Sequence, residues 1–290
     1  MSARRAGARR ASRFYFWGFI GLLAGVVSAV VSFAWLGSHK PAPRLDSATL
    51  CPIDQPLAAH TILFIDTTDR LLPLHVDALR MAIVEERDAL PVHGRFTLLF
   101  LAAGAPFEPE QMLSLCNPGD GRALNWLHEG QALAEKHWKK AFGAPIDAAV
   151  RRLANVPEAN RSPILQGISA ISRRADFSSR VGLRRLVVVS DLLQHDPGLY
   201  THYQTGISWS AFTSGLLARQ VPAILEGVSV RIEYLQRPQV TAFQGVEHVA
   251  FWRHWLRSAG ADNIEINGAA RSRQAGPQTL EARQHGPRAP

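Results

Sequence analysis

Cysteine is nearly absent from this chain of 290 residues, which holds only Cys51 and Cys116. No His/Cys spacing of the zinc-site type accompanies them, so His195 and His202 read as structural or solvated side chains and not as zinc ligands. The chain also lacks a Gly-x-Ser-x-Gly elbow, a His-Glu-x-x-His pair and a glycine-rich phosphate loop following a strand. These absences leave no catalytic motif, and the chain reads as a non-enzyme. Two further scarcities concern position. Residues 14–36 carry no charge, and the stretch after Asn267 has almost no large apolar residue.

The uncharged run sets the compartment. About 23 predominantly apolar residues at about 1.5 Å each suffice to cross a hydrocarbon core of about 30 Å. Residues 14–36 are therefore predicted to form a transmembrane helix. Arg4, Arg5, Arg9, Arg10 and Arg13 precede the run, and only Lys40 and Arg44 follow closely. By the positive-inside rule, residues 1–13 form a basic cytoplasmic N-terminus and the rest is extracytoplasmic, periplasmic in a diderm bacterium. Tyr15, Trp17 and Trp35 stand near the ends of the run, where aromatic rings favour the headgroup region. A cleaved signal peptide would have a shorter apolar core. Gly21, Gly25 and Ala29 repeat at helix-packing spacing, although glycine is common in membrane helices.

The formal net charge of +8 is confined to the ends. Five arginines precede Phe14, and the tail after Asn267 holds four arginines against one glutamate, which leaves Phe14–Asn267 neutral. Such a distribution is a topology signal plus a solvated tail, so no nucleic-acid partner is expected. Residues 268–290 are predicted to be a disordered basic tail, because they offer too little apolar surface to offset ordering entropy.

Between the span and the domain, residues 37–57 contain Pro41, Pro43, Pro52 and Pro56 and read as a semi-rigid tether. The two cysteines, both outside the cytoplasm by this topology, permit a disulfide; sequence alone does not give their separation. From 58 to 267 the pattern alternates. Apolar runs at 61–66, 96–101, 186–190, 228–235 and 263–266 read as strands. Helical spacing at 71–89, from Ser162-Pro163 onward, at 208–219 and at 246–258 reads as amphipathic helices. That order predicts an α/β domain with a doubly wound, mostly parallel sheet, a three-layer α/β/α arrangement. Residues 102–161 read as an insertion holding a turn near Asn117-Pro118-Gly119 and a helix near 130–142, with Leu133, His137 and Ala141 on one face.

Two of the strands end in acids: Thr61-Ile-Leu-Phe-Ile-Asp66, followed by Thr67-Thr68-Asp69-Arg70, and Leu186-Val-Val-Val-Ser190-Asp191. Parallel pairing would bring Asp66 and Asp191 to one sheet edge, where open α/β sheets bind ligands. The ordinary alternatives are that Asp66 and Ser162 cap helices and that Asp191 accepts backbone N–H groups.

Taken together, Asp66-x-Thr68, a hydroxyl at Ser162 and Ser190-Asp191 resemble the von Willebrand factor A (vWA) domain and its metal-ion-dependent adhesion site. The resemblance implies that Asp66, Thr68, Ser162 and Asp191 are oxygen ligands for Mg²⁺ or Mn²⁺, and that the site grips a partner's acidic group. Arg70 stands where the family has its second hydroxyl. It either turns inward to replace the metal as an ion-paired relic, or turns outward and leaves the metal in place. The expected function is a membrane-anchored protein-interaction module, a scaffold or assembly factor whose partners are membrane or envelope proteins. Two alternatives remain: a metal-dependent hydrolase using Asp66 and Asp191, and a metal-free interaction domain that binds through its helical faces or the insertion. The phosphatase-type spacing, with a second acid two residues after the first, is not met, because Thr68 occupies that place and the next acid is Asp69.

Overall fold

The computed structural model describes residues 3–38, 43–101, 108–121, 130–153, 156–203 and 207–268. The tail beyond Gly268 and tether residues 39–42 lie outside the described residues. The chain divides into two compact units, Met1–Arg44 and Leu45–Pro290.

The first unit is one helix, α1 (Ala3–Ser38). Its apolar side chains are exposed on all sides, with Leu22, Leu23, Val26, Val27, Val30 and Phe33 each more than half accessible. The continuous run of described side chains is Trp17–Phe33, shorter than the apolar stretch 14–36. Among the described residues no helix is long and apolar enough to cross a membrane. A helix thus forms where one was predicted, while a membrane span is not shown.

The second unit is built on strands β1 (Ala59–Asp66), β2 (Arg95–Leu101), β3 (Glu110–Cys116), β4 (Leu183–Ser190), a short hairpin of β5 (His195–Asp196) and β6 (Tyr200–Thr201), then β7 (Val228–Tyr234) and β8 (Asn263–Asn267). Six of them form one mixed sheet in the order β3-β2-β1-β4-β7-β8. Only β3 runs antiparallel to its neighbour. All eight residues of β1 are buried. Strands covered on both faces read as unbroken apolar runs, which is why β1, β2 and β4 stand out in the sequence.

Helices α2 (Pro73–Ala89) and α4 (Ala144–Leu153) cover one face; α3 (Gly130–Trp138) leads into α4 through a π-helical turn, Lys139–Gly143. On that face Leu79 and Ile83 of α2 and Ile146, Ala149 and Leu153 of α4 pack with Leu63, Ile65, Val187 and Val189 of the sheet. The other face carries α5 (Ile164–Ser172), α6 (Trp209–Ser214), α7 (Leu216–Gln220) and α8 (Val246–Ser258). Ile164, Ile168, Ile171, Phe212, Leu217, Trp252 and Leu256 pack there with Ile62, Phe64, Val188 and Ile232. Burying each such side chain contributes about 1.5–3 kcal/mol. At Gly167 α5 comes close to β1: a Cβ there would lie 2.6 Å from Phe64 Cζ.

Several details depart from the sequence reading. The helix predicted over 208–219 is broken at Gly215, so Leu217 turns inward and Leu216 is exposed. Leu133, expected on a packed face, is exposed on a helix with no buried residue. The stretch read as an insertion supplies the edge strand β3 and the helix α4.

Part of the stretch read as a tether is folded onto the domain. Asp46 Oδ1 accepts the Thr49 N–H at 2.7 Å, Thr49 O accepts the Cys116 N–H at 2.8 Å, and Cys51 and Cys116 form a disulfide with Cα atoms 4.9 Å apart.

Candidate functional site

The strand order reverses between β1 and β4, since β2 and β3 continue from one and β7 and β8 from the other. In open α/β sheets the crevice at the carboxyl ends of such strands is where ligands bind. Ile65 of β1 is in register with Val189 of β4, and Ser190 with Tyr234 of β7. Asp66 and Ser190 therefore end adjacent strands side by side, with Asp191 one residue further.

Asp66 is 4% exposed and all its acceptor capacity is used. Oδ1 accepts the Thr68 N–H at 3.0 Å and the Thr68 hydroxyl at 2.6 Å. Oδ2 accepts the hydroxyls of Ser190 at 2.8 Å and Ser162 at 3.2 Å. Three of the four expected ligands, Asp66, Thr68 and Ser162, are thus joined in one cluster. Ser162 does not cap the helix it precedes. Pro163 holds the cap position with no side-chain bond, and Gln194 Oε1 accepts the Leu165 N–H at 2.9 Å instead. A two-way backbone pairing with His195 holds Ser162 in place.

Asp191, 2% exposed, faces a different partner. Its Oδ1 accepts the Leu193 N–H at 2.9 Å, and its Oδ2 accepts the Nε–H of Arg237, three residues past the end of β7. The same guanidinium donates to the Arg70 carbonyl at 3.0 Å and lies 3.8 Å from Asp69 Oδ2. Gln244 braces this corner, accepting the Arg237 N–H at 2.7 Å and donating to the carbonyls of Leu235 and Asp191. Burial pushes the Asp191 carboxyl up to about 7, and the negative charge of Asp66 adds to it, with Arg237 pulling the other way. Burial likewise raises Asp69.

Arg70 itself is exposed, and at the site its backbone carbonyl accepts from Arg237. The cation beside the acids is therefore Arg237, which the sequence reading did not single out, as it did not single out Ser190 or Gln244 as site residues. The sequence held no signal for Arg237, because its place beside the acids depends on β7 lying next to β4.

A divalent ion needs several oxygen lone pairs turned toward one point. Here both Asp66 oxygens hold proton donors, and a guanidinium covers the outward oxygen of Asp191. As arranged, the residues do not fit Mg²⁺ or Mn²⁺. Among the described residues no group of three or more His, Cys, Asp or Glu side chains is placed to hold a metal ion.

His202 is buried and not solvated. Among the described residues neither ring nitrogen has a hydrogen-bond partner, and the ring packs edge-on against His248 and Phe251 at 4.9 and 5.0 Å. His195 lies at the rim, with Nδ1 2.9 Å from the Thr201 hydroxyl.

The sheet and its edge site define an α/β domain whose mixed, mostly parallel architecture fits a vWA-like fold. No protein-family model matches the chain, and no curated protein matches it. Among solved structures, the crystal structure of the SpRpn10 VWA domain is similar to 72% of this chain and 87% of its own, with 11% identity and a TM-score of 0.37. A likeness at that level says nothing about what this chain binds.

Proposed function

We propose that this chain is a membrane-anchored, vWA-like protein-interaction module whose strand-edge site works without a metal. The observation that carries this reading is the Arg237–Asp191 pair, a fixed positive charge beside the acids where the sequence pattern led us to expect a cation of another kind. The site is not catalytic in this reading, because Asp66 is enclosed by four donors and has no free oxygen for attack or proton abstraction.

Anchoring is supported by the all-round apolar exposure of α1, since a helix without a polar face is stable only when covered on every side. The arginines in the first turns of α1, ahead of the apolar run 14–36, favour a cytoplasmic N-terminus, and the Cys51–Cys116 disulfide suits an oxidising compartment beyond the membrane. Held near a bilayer, the domain meets membrane or envelope proteins at high effective concentration, which suits a scaffold or assembly role.

Calorimetric titration of the full chain in detergent with Mg²⁺ and Mn²⁺ tests the site. No heat is expected at millimolar metal, whereas binding that disappears in Asp191→Ala refutes a metal-free site. Reporter fusions after Pro43 test the topology, and a cytoplasmic signal there overturns it.

A further inference from the structure

The two outer strands of the main sheet are finished differently. Against β3 lies the stretch 46–51, whose Thr49 O accepts the Cys116 N–H and whose Cys51 is joined to Cys116. At the other end, among the described residues, no strand pairs with β8 on its outer side. An outer strand with free N–H and C=O groups is a template for another extended segment, and folded chains cover or charge such strands.

The open face of β8 selects the segment. Ile264 and Ile266 pack against the core that holds Trp252 and Leu256, whereas Asn263, Glu265 and Asn267 are exposed on the opposite face. On that face the sheet is apolar over β1 and β4, where α2 and α4 cover it, and charged over β7 and β8. Arg231 of β7 meets Glu85, Glu86 and Glu233 at 2.8, 3.3 and 2.6 Å, and Arg185 of β4 meets Glu86 at 2.8 Å and Glu265 at 4.0 Å. In this connected network two guanidiniums serve four carboxylates, an excess of two negative charges. Glu265 lies on the outermost strand, is 49% exposed, and has the longest of these bridges.

The segment that follows β8 carries the complementary charge. Residues 269–290 hold four arginines against one glutamate, and Arg271 and Arg273 come three and five residues after Gly268. Gly268 has φ 79°, a left-handed conformation that tight chain reversals use. A reversal through 268–270 sets Arg271 opposite Asn267 and Arg273 opposite Glu265, because paired positions in an antiparallel hairpin run in opposite order. Both arginines then share the face of Glu265, since side chains two apart on a strand point the same way. The return segment 271–275 matches the five residues of β8, and Gly276-Pro277 ends it, because proline cannot donate to a ladder.

We propose that the C-terminal tail docks on β8: residues 271–275 return antiparallel along its outer side with Arg273 paired to Glu265, and so cover the end of the sheet opposite the disulfide. The docking uses a surface distinct from the strand-edge acids and does not depend on membrane anchoring.

Hydrogen exchange of the full chain in detergent, read by mass spectrometry over Asn263–Asn267, tests this. In a chain shortened to end at Gly268, exchange of that segment should quicken about fivefold or more at low salt. Arg273→Glu should have the same effect, and adding Glu265→Arg to it should restore the wild-type rate, a rescue that a merely unfolded variant does not give. Unchanged exchange in the shortened chain, or a charge swap that restores nothing, overturns the proposal. Protection that survives shortening and grows with protein concentration assigns the outer side of β8 to a second copy and overturns it as well. Metal titration is a separate readout, so failure of the docking and failure of the metal-free site are distinguishable.

Discussion

The guanidinium of Arg237 pairs with the carboxylate of Asp191 and so ties the chain after β7 to the end of β4. Its side chain is 14% exposed and that of Asp191 2%, so neither charge has water as a ready substitute.

Removing one member of such a pair leaves the other buried and uncompensated. Arg237→Ala is expected to lower stability by about 3 kcal/mol, whereas adding Asp191→Asn to it restores part of the loss. Urea unfolding of the two single variants and the double variant measures this. Additive losses would mean that the two groups do not interact.

Acid should weaken the domain through its buried histidines. Burial lowers His60 and His248 to about 4 and His202 to about 3. An unfolded histidine titrates near about 6.5, so below that pH the unfolded chain binds more protons than the folded one. The contribution of these three residues is therefore complete above about 6.5 and is lost as pH falls toward about 4. Asp191, raised in the folded state, acts in the opposite sense between about 4 and 7 and offsets one histidine. Melting temperature against pH should fall on the acid side, and His202→Phe should flatten the slope. Removal of two unpartnered buried nitrogens should also stabilise the neutral-pH protein by about 1 kcal/mol.

The disulfide closes a separation of 65 residues. Loop-closure entropy for a ring of that size amounts to about 4 kcal/mol, an upper figure when the unfolded chain retains structure. Cys51→Ser with Cys116→Ser should lower the urea midpoint by an equivalent amount and release the turn at Asp46 from the edge of β3. Thiol labelling of intact cells would show whether the wild-type pair is oxidised.

Gly167→Ala should cost about 1–3 kcal/mol, because the added methyl group meets the Phe64 ring at 2.6 Å in a packed core. Restoration of stability by Phe64→Leu in the same chain would place the clash at that contact. No change in the single variant would mean that α5 can lift from β1 without penalty.

What the sequence made legible follows from physical contrast. β1 and β4 announce themselves because burial on both faces leaves the unbroken apolar runs 62–65 and 186–189, and their pairing puts Asp66 beside Ser190. β3 is half exposed at the sheet edge, and its mix of Glu110, Gln111 and Ser114 with apolar residues hides it. In α4 the buried positions Ile146, Ala149 and Leu153 have helical spacing, yet Ala149 is too small to mark a stripe. Asp66, Thr68 and Ser162 were found because strand-end acids and hydroxyls form a pattern. Arg237 belongs to no such pattern. Its place depends on β7 lying next to β4, a fact of topology that single-strand reading does not contain.

One backbone feature links the site to the far side of the sheet. Leu192, directly after Asp191, sits at φ 61°, a left-handed conformation that a branched side chain adopts at a cost of about 1–2 kcal/mol. Its carbonyl accepts from Trp252 Nε1 and from His248 Nε2, both at 2.9 Å, while the Tyr234 hydroxyl donates to His248 Nδ1 at 2.7 Å. Helix α8 thus clamps the carbonyl of the left-handed residue beside Asp191, so the position of the strand-edge carboxylate is secured by aromatic side chains of the core as well as by Arg237.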